Sequence, residues 1–200
     1  MLLWINGPFG GGKTHAADEI HRRLAGSIIC DPEDLGYGLH RMMPSELRGD
    51  FQDLAAWRHG TFEVLERLLR EHQGDVIVPM TVIEPGYLDE ILRPLGENGH
   101  QVRHYTLLAE RATILRRLRG RSLPFRRDTH AEGKLDECLD RLRDDEFAEH
   151  VRTDELTIAQ TAERIAASAG LNLAPDTSSF LRVRAHRISV TIKHVRLLRR

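Results

Sequence analysis

The 200-residue sequence predicts an α/β fold built on a parallel sheet, and three observations predict it. Short β-rich runs alternate with longer amphipathic stretches, which is the pattern of strands joined by crossover helices. Hydrophobic residues make up 40%, charged residues 30% and aromatics 6%, a balance that excludes a disordered chain and suits a helix-rich globular one. No run of eighteen apolar residues occurs, which excludes a membrane-spanning helix, and the length suits one domain that buries roughly 70% of its unfolded surface.

Five strands are expected, at residues 2–6, 27–30, 75–80, 101–108 and 150–153, with helices at 13–24, 51–71, 85–98, 110–119 and 157–169. Apolar residues three and four apart mark the helices, as at Leu65, Leu68 and Leu69 or Ile158, Ala162 and Ile165, and these stripes should face the sheet. Pro79 argues that the third strand leaves regular pairing near its end, because proline donates no ladder bond. Residues 120–134 hold Gly120, Pro124 and Gly133 among mixed charges and read as a mobile surface loop. A Pro-Asp-Thr-Ser-Ser stretch near residue 175 reads as a linker, dividing residues 1–175 from a basic segment over 176–200.

Directly after the first strand come Gly7, Pro8, Phe9, Gly10, Gly11, Gly12, Lys13 and Thr14, which satisfy G-x-x-x-x-G-K-[ST]. A strand before this loop and a helix after it aim the loop and helix amides together at an anion. Glycines let the backbone approach phosphate. Lys13 is placed to bridge the β- and γ-phosphates, and the Thr14 hydroxyl to ligate Mg²⁺. The expected cofactors are therefore ATP and Mg²⁺, and the expected fold is that of a P-loop NTPase.

The run from Trp4 to Thr14 resembles the tunicamycin resistance protein family. So do Asp31, Pro32 and Glu33 after the second strand, the string Val76-Ile77-Val78-Pro79-Met80-Thr81 at the third, His104 to Ala109 at the fourth, Thr153 and Asp154, and the basic C-terminus. The resemblance spans nearly the whole chain and implies ATP binding and resistance to a nucleoside antibiotic. More distantly the layout is similar to small-molecule and nucleoside-monophosphate kinases, which implies a five-stranded parallel sheet with flanking helices and a mobile lid over the phosphates, here about residues 120–134.

Transfer to a hydroxyl needs an acceptor held in line and a carboxylate to orient it or take its proton. Asp31 is the first candidate, because it closes the second strand at the sheet edge where ligands bind, and Glu33 and Asp34 are alternates. The same residues also read as a helix start capped by Asp31 or Asp34. Arg117 and Arg121 resemble the lid arginines of nucleoside-monophosphate kinases, one near the adenine and one over the transferring phosphate, with Arg126 and Arg127 farther along. Only three of 29 basic residues are lysine, so these arginines equally fit a solvated helix face. The third strand ends without the usual acidic partner of Mg²⁺, leaving Thr81, Glu84 or Asp31 to substitute.

Residues 36–62 mix Tyr37, Met42, Met43, Phe51, Trp57 and Phe62 with charges. They read either as cover for a ring-containing lipophilic acceptor or as local core. No structural metal is expected: among eleven histidines, His100 and His104 lie four apart on a strand, roughly 13 Å, too far to share an ion. Cys30 and Cys138 read as structural thiols, and His15 as a solvent-side helix residue.

The formal charge of −1 hides an asymmetry, since residues 181–200 carry seven cations and no acid, leaving 22 basic and 30 acidic residues before them. Leu181, Ala185, Ile188, Ile192 and Val195 form one helical stripe, so this segment is expected either to lie on an anionic membrane surface or to dock on the protein itself. Without an aromatic after Phe180 to stack bases, nucleic acid is not an expected partner. The reading is a cytoplasmic phosphotransferase, monomeric or homodimeric, peripheral to the inner membrane face if the tail binds lipid. It would phosphorylate a hydroxyl of a nucleoside antibiotic such as tunicamycin. A protein that sequesters the drug under ATP control is the alternative.

Overall fold

The computed structural model of the chain describes residues 1–121, 135–147 and 149–176. Most of the expected lid, including Arg126 and Arg127, and the expected C-terminal helix lie outside the described residues.

Five strands form one parallel sheet: β1 (Leu2–Asn6), β2 (Ile28–Ile29), β3 (Val76–Pro79), β4 (Val102–Leu108) and β5 (His150–Arg152), in the order β2-β3-β1-β4-β5. Every expected strand is present, and every pairing is parallel. Central β1 is buried along its whole length, as a parallel strand covered on both faces must be. Its residues alternate between two cores. Leu3 and Ile5 join Ile77, Tyr105, Leu107 and Val151 beneath α1 (Lys13–Arg23) and α7 (Ile158–Ala169), which contribute Ala16, Ala17, Ile20, Ala162 and Ile165. Leu2 and Trp4 join Val76 and Val78 beneath α3 (Ala55–Glu71) and α4 (Pro85–Glu97), with Trp57, Leu65, Leu88 and Ile91.

A separate small cluster of Ala109, Ile114, Leu118, Leu135 and Leu139 joins α5 (Arg111–Arg121) to α6 (Leu135–Arg141). Leu118 and Ile114 also reach Gly10 of the loop, where a Cβ would come within 2.8 Å of the Leu118 side chain. Local signals place the helix ends where they fall. Thr157 and Gln160 cap α7 reciprocally, and Gly170 ends it at φ 72°.

Three details differ from the sequence expectation. The helix expected over 51–71 is a 3-10 turn at Phe51–Asp53 followed by α3, because Leu54 is extended and breaks the run. Two helices are not among those expected: α2 (Glu33–Arg41), whose two glycines lower its propensity, and the seven-residue α6. Pro79 remains in register with Ile5. Val76 and Met80 both donate to β1, so the donor that Pro79 lacks would face β2, which has ended at Ile29.

Candidate nucleotide and acceptor site

The carboxyl end of β1 delivers the loop, and buried side chains fix its first peptide. Asn6 Oδ1 accepts from the amides of Gly7 at 2.8 Å and Val82 at 3.0 Å, while Asn6 Nδ2 donates to the Val82 carbonyl at 2.8 Å. The Gly7 carbonyl accepts from Thr81 Oγ1 at 2.8 Å and from Lys13 Nζ at 2.9 Å. Gly7 itself stands at φ 143°, and a Cβ there would lie 2.8 Å from the Leu107 carbonyl, so no other residue fits without moving β4.

Lys13 is only 8% exposed, and its ammonium also donates to the Pro8 carbonyl at 3.1 Å, with the Phe9 ring centroid 5.7 Å away. Gly10, Gly11 and Gly12 complete the turn, with Gly11 N–H donating to Pro8 O at 2.9 Å. Thr14 follows in the first turn of α1, half-buried. The leading turn of a helix has amides without intrahelical acceptors, and here they stand beside the Lys13 charge. The arrangement can bind a multiply charged anion.

On the β4–β5 side, Arg117 of α5 donates to the Thr153 hydroxyl at 3.0 Å and to the Thr153 carbonyl at 2.6 Å. Thr153 in turn donates to the Leu108 carbonyl. Burial lowers the Arg117 pKa, with nearby Asp154 opposing the shift. Asp154 Oδ1 accepts from the Glu110 amide at 2.9 Å at the start of α5. Burial works against its ionisation, yet the Glu110 amide, the Thr113 hydroxyl and Arg117 together hold its carboxyl below the usual range. Arg121 is the last residue of α5, and its side chain lies outside the described residues.

On the β3 side, Asp31 follows β2, and the sheet order puts β3 between it and the loop, roughly 10 Å of lateral offset rather than direct adjacency. Asp31 Oδ1 accepts from the Glu33 amide at 3.1 Å, the capping geometry that starts α2. Beyond it, Phe51 meets Tyr37, His40 and Trp57 with ring centroids 6.1, 5.4 and 5.5 Å away. A Cβ on Gly36 would lie 2.6 Å from the Phe51 ring, so this glycine admits the ring. The Trp57 indole donates to the Pro32 carbonyl at 2.9 Å. Burial, then the neighbouring Glu33 carboxylate, push the Tyr37 hydroxyl far above its ordinary range, and it donates to Glu33 at 3.0 Å. Trp57 is thus local core, with Tyr37 and Phe51 half-buried around it, while Met42 is 81% exposed and Leu47 67%.

Asn6, Thr81 and Thr153 lie in the strings that carry the family resemblance, and Thr81 is one candidate to replace the missing carboxylate, but their hydrogen bonds to the loop and to Arg117 are not foreseen from the sequence. An amide closing an otherwise apolar strand is the signal for Asn6, whereas the partners of the two threonines depend on how the strands are ordered. Of the alternatives to the missing carboxylate, Glu84 is exposed and lies 3.4 Å from Arg141, and Thr81 turns its proton to Gly7. Among the described residues no group of three or more histidines, cysteines or carboxylates could hold a metal. Both cysteines are free, their thiols pushed up to about 11 chiefly by burial, which keeps them protonated. His15 is half-buried rather than on the solvent side, with Nδ1 shielded. No described helix is long and apolar enough to cross a membrane.

Comparisons with known proteins agree with this geometry. Residues 2–144 match the family model described as an AAA domain. The solved tunicamycin resistance protein of Deinococcus radiodurans is 34% identical, with 87% of this chain and 98% of that one covered and a TM-score of 0.73. A gluconokinase from Sinorhizobium meliloti (17% identity, 84% and 90% covered, TM-score 0.61) and a shikimate kinase from Bacteroides thetaiotaomicron (17%, 86% and 99%, 0.57) share the fold. No curated protein matches the chain. With its loop, parallel sheet and kinase-like architecture, the chain belongs to the AAA domain family and to the tunicamycin resistance proteins.

Proposed function

We propose that this chain is an ATP- and Mg²⁺-dependent phosphotransferase that phosphorylates a hydroxyl of a nucleoside antibiotic such as tunicamycin. The observation that carries the ATP half is the buried Lys13 ammonium, held at the loop by backbone carbonyls beside the first turn of α1. The drug half rests on the likeness to the Deinococcus radiodurans protein.

The residues fit both groups. Nothing lies within 4 Å of a Cβ placed on Gly12, so the loop is open where α1 begins. Thr14 would supply one oxygen to Mg²⁺ and leave other positions to phosphate oxygens and water, as that ion prefers. When bound, Mg²⁺ offsets charge on the transferring group. Gly7 to Thr14 would hold the phosphates, with the Lys13 ammonium offsetting their charge. Arg117, beside Thr153, takes the base end, and Arg121 the transferring end. Asp31 orients the acceptor hydroxyl and takes its proton as oxygen bonds to phosphorus and ADP leaves. Tyr37 and Phe51, half-buried and backed by the fully buried Trp57, face the acceptor.

Thr81 in place of a carboxylate favours a second reading, in which ATP binding gates sequestration of unmodified drug. Mass spectrometry after incubating protein, MgATP and tunicamycin separates the two. A product heavier by one phosphoryl group supports transfer, and unchanged drug retained by the protein supports sequestration.

A further inference from the structure

We propose that Thr81 is a positioning residue that frees Lys13 to engage phosphate, an inference that rests on the ATP reading above. Lys13 donates to two loop carbonyls, those of Gly7 and Pro8, both in the buried interior of the loop. To reach β- and γ-phosphates the ammonium must turn its protons away from them. A buried carbonyl left without a donor is costly, and that cost would hold Lys13 where it rests.

Each of these carbonyls has a second donor. Gly11 N–H reaches Pro8 O at 2.9 Å, as the turn itself dictates. Gly7 O has the Thr81 hydroxyl at 2.8 Å, and that donor is a side-chain choice. When Lys13 turns to phosphate, neither carbonyl is stranded.

Thr81 is itself held for this task. It is 5% exposed at the end of β3, and its carbonyl accepts from Gln52 Nε2 at 3.0 Å. Gln52 is steadied in turn by Arg58, whose guanidinium donates to the Gln52 carbonyl at 2.6 Å and to Glu90 at 2.6 Å. The next residue, Val82, is bracketed at both its amide and its carbonyl by Asn6. The hydroxyl is therefore aimed at Gly7 from a backbone fixed on either side. The hydroxyl occupies the strand end where the sequence lacks a carboxylate, and it acts through the loop rather than on a metal.

The test measures ADP and AMP affinity by calorimetry with Mg²⁺, for the full chain and for Thr81→Val and Thr81→Ser, with thermal midpoints of the nucleotide-free proteins alongside. Thr81→Val should weaken ADP about tenfold, the effect expected for one buried carbonyl stranded when Lys13 leaves. It should leave AMP unchanged, since AMP has no β-phosphate, and should shift the nucleotide-free midpoint little because Lys13 still satisfies Gly7. Thr81→Ser restores the hydroxyl and should bind ADP within twofold of the parent. If Thr81→Val does not fold, Thr81→Ala carries the same expectation. In a Lys13→Ala background the change at Thr81 should no longer affect ADP, because the ammonium whose release it assists is gone. Equal losses for ADP and AMP, or an unaltered ADP affinity, would overturn the role. A parent protein that binds no adenine nucleotide would overturn the ATP reading itself and this inference with it.

Discussion

Acid should destabilise this fold through His104, and the loss can be worked from where the ring lies. His104 is on β4 in register with Trp4 of β1, on the sheet face covered by Phe147, whose ring meets it edge-on at 6.4 Å. Its Nε2 is 3.2 Å from the Thr106 hydroxyl. Burial, and secondarily His150 on the neighbouring strand, lower its pKa from 6.5 to about 4. Between those values the unfolded chain holds a proton that the folded chain refuses. Stability is therefore complete above about pH 6.5 and falls as pH drops toward 4, by on the order of 3 kcal/mol. That is a large part of a typical domain stability of about 5–15 kcal/mol. Urea unfolding of the parent and of His104→Gln, which keeps a hydrogen-bonding group but does not titrate, isolates the effect because every carboxylate titrates in both. The stability of the parent relative to His104→Gln should fall by roughly 3 kcal/mol from pH 7 to pH 4. Parallel pH profiles would show that His104 is not the buried neutral base the structure makes it.

Replacing Arg117 by Ala removes two hydrogen bonds to Thr153 and should cost about 2 kcal/mol in chemical denaturation. It should also weaken ATP, while Arg119→Ala, at an exposed position of the same helix, changes neither. Asp31→Asn keeps an acceptor for the Glu33 amide, so the unfolding midpoint should hold while drug phosphorylation, followed by mass spectrometry, falls roughly 10²-fold. Equal turnover in Asp31→Asn would leave Asp31 as a cap alone. Gly7→Ala forces a Cβ against the Leu107 carbonyl and should lower the melting temperature and nucleotide affinity together, measured by calorimetry with and without MgATP.

The phosphate loop and all five strands were legible because their signals are local. A glycine pattern followed by Lys-Thr needs only its own residues, and a buried parallel strand needs only an apolar run. Helix α2 was half legible: Asp31 and Pro32 announce a start, but Gly36 and Gly38 lower the helix propensity of a nine-residue segment. The reason for Gly36 lies fifteen residues on, in the Phe51 ring that occupies the space a side chain would need. Arg117 shows the converse. Among 29 basic residues composition cannot select it and only the kinase resemblance named it, while its place beside Thr153 depends on α5 folding against the end of β5.

The order of the strands decides which residues the loop can use, and order is the property that a list of predicted strands leaves open. With the sequence taken strand by strand, Asp31 stands nearest to the loop. With β3 inserted between β2 and β1, the residue at the adjoining strand end is Thr81, which touches Gly7 directly, while Asp31 is one strand farther out at the start of α2. That offset separates two tasks by distance. The inner position fixes the peptide on which Lys13 rests, and needs a short, uncharged donor there, since a carboxylate would meet the Gly7 carbonyl with no proton to give. The outer position adjoins Tyr37 and Phe51, with Phe51 packed on the buried Trp57, and under the proposed function a carboxylate there serves the acceptor without competing for the lysine. A hydroxyl at the end of β3 thus suits how this loop is held, and under the proposed function the carboxylate chemistry falls to Asp31 at the outer strand end.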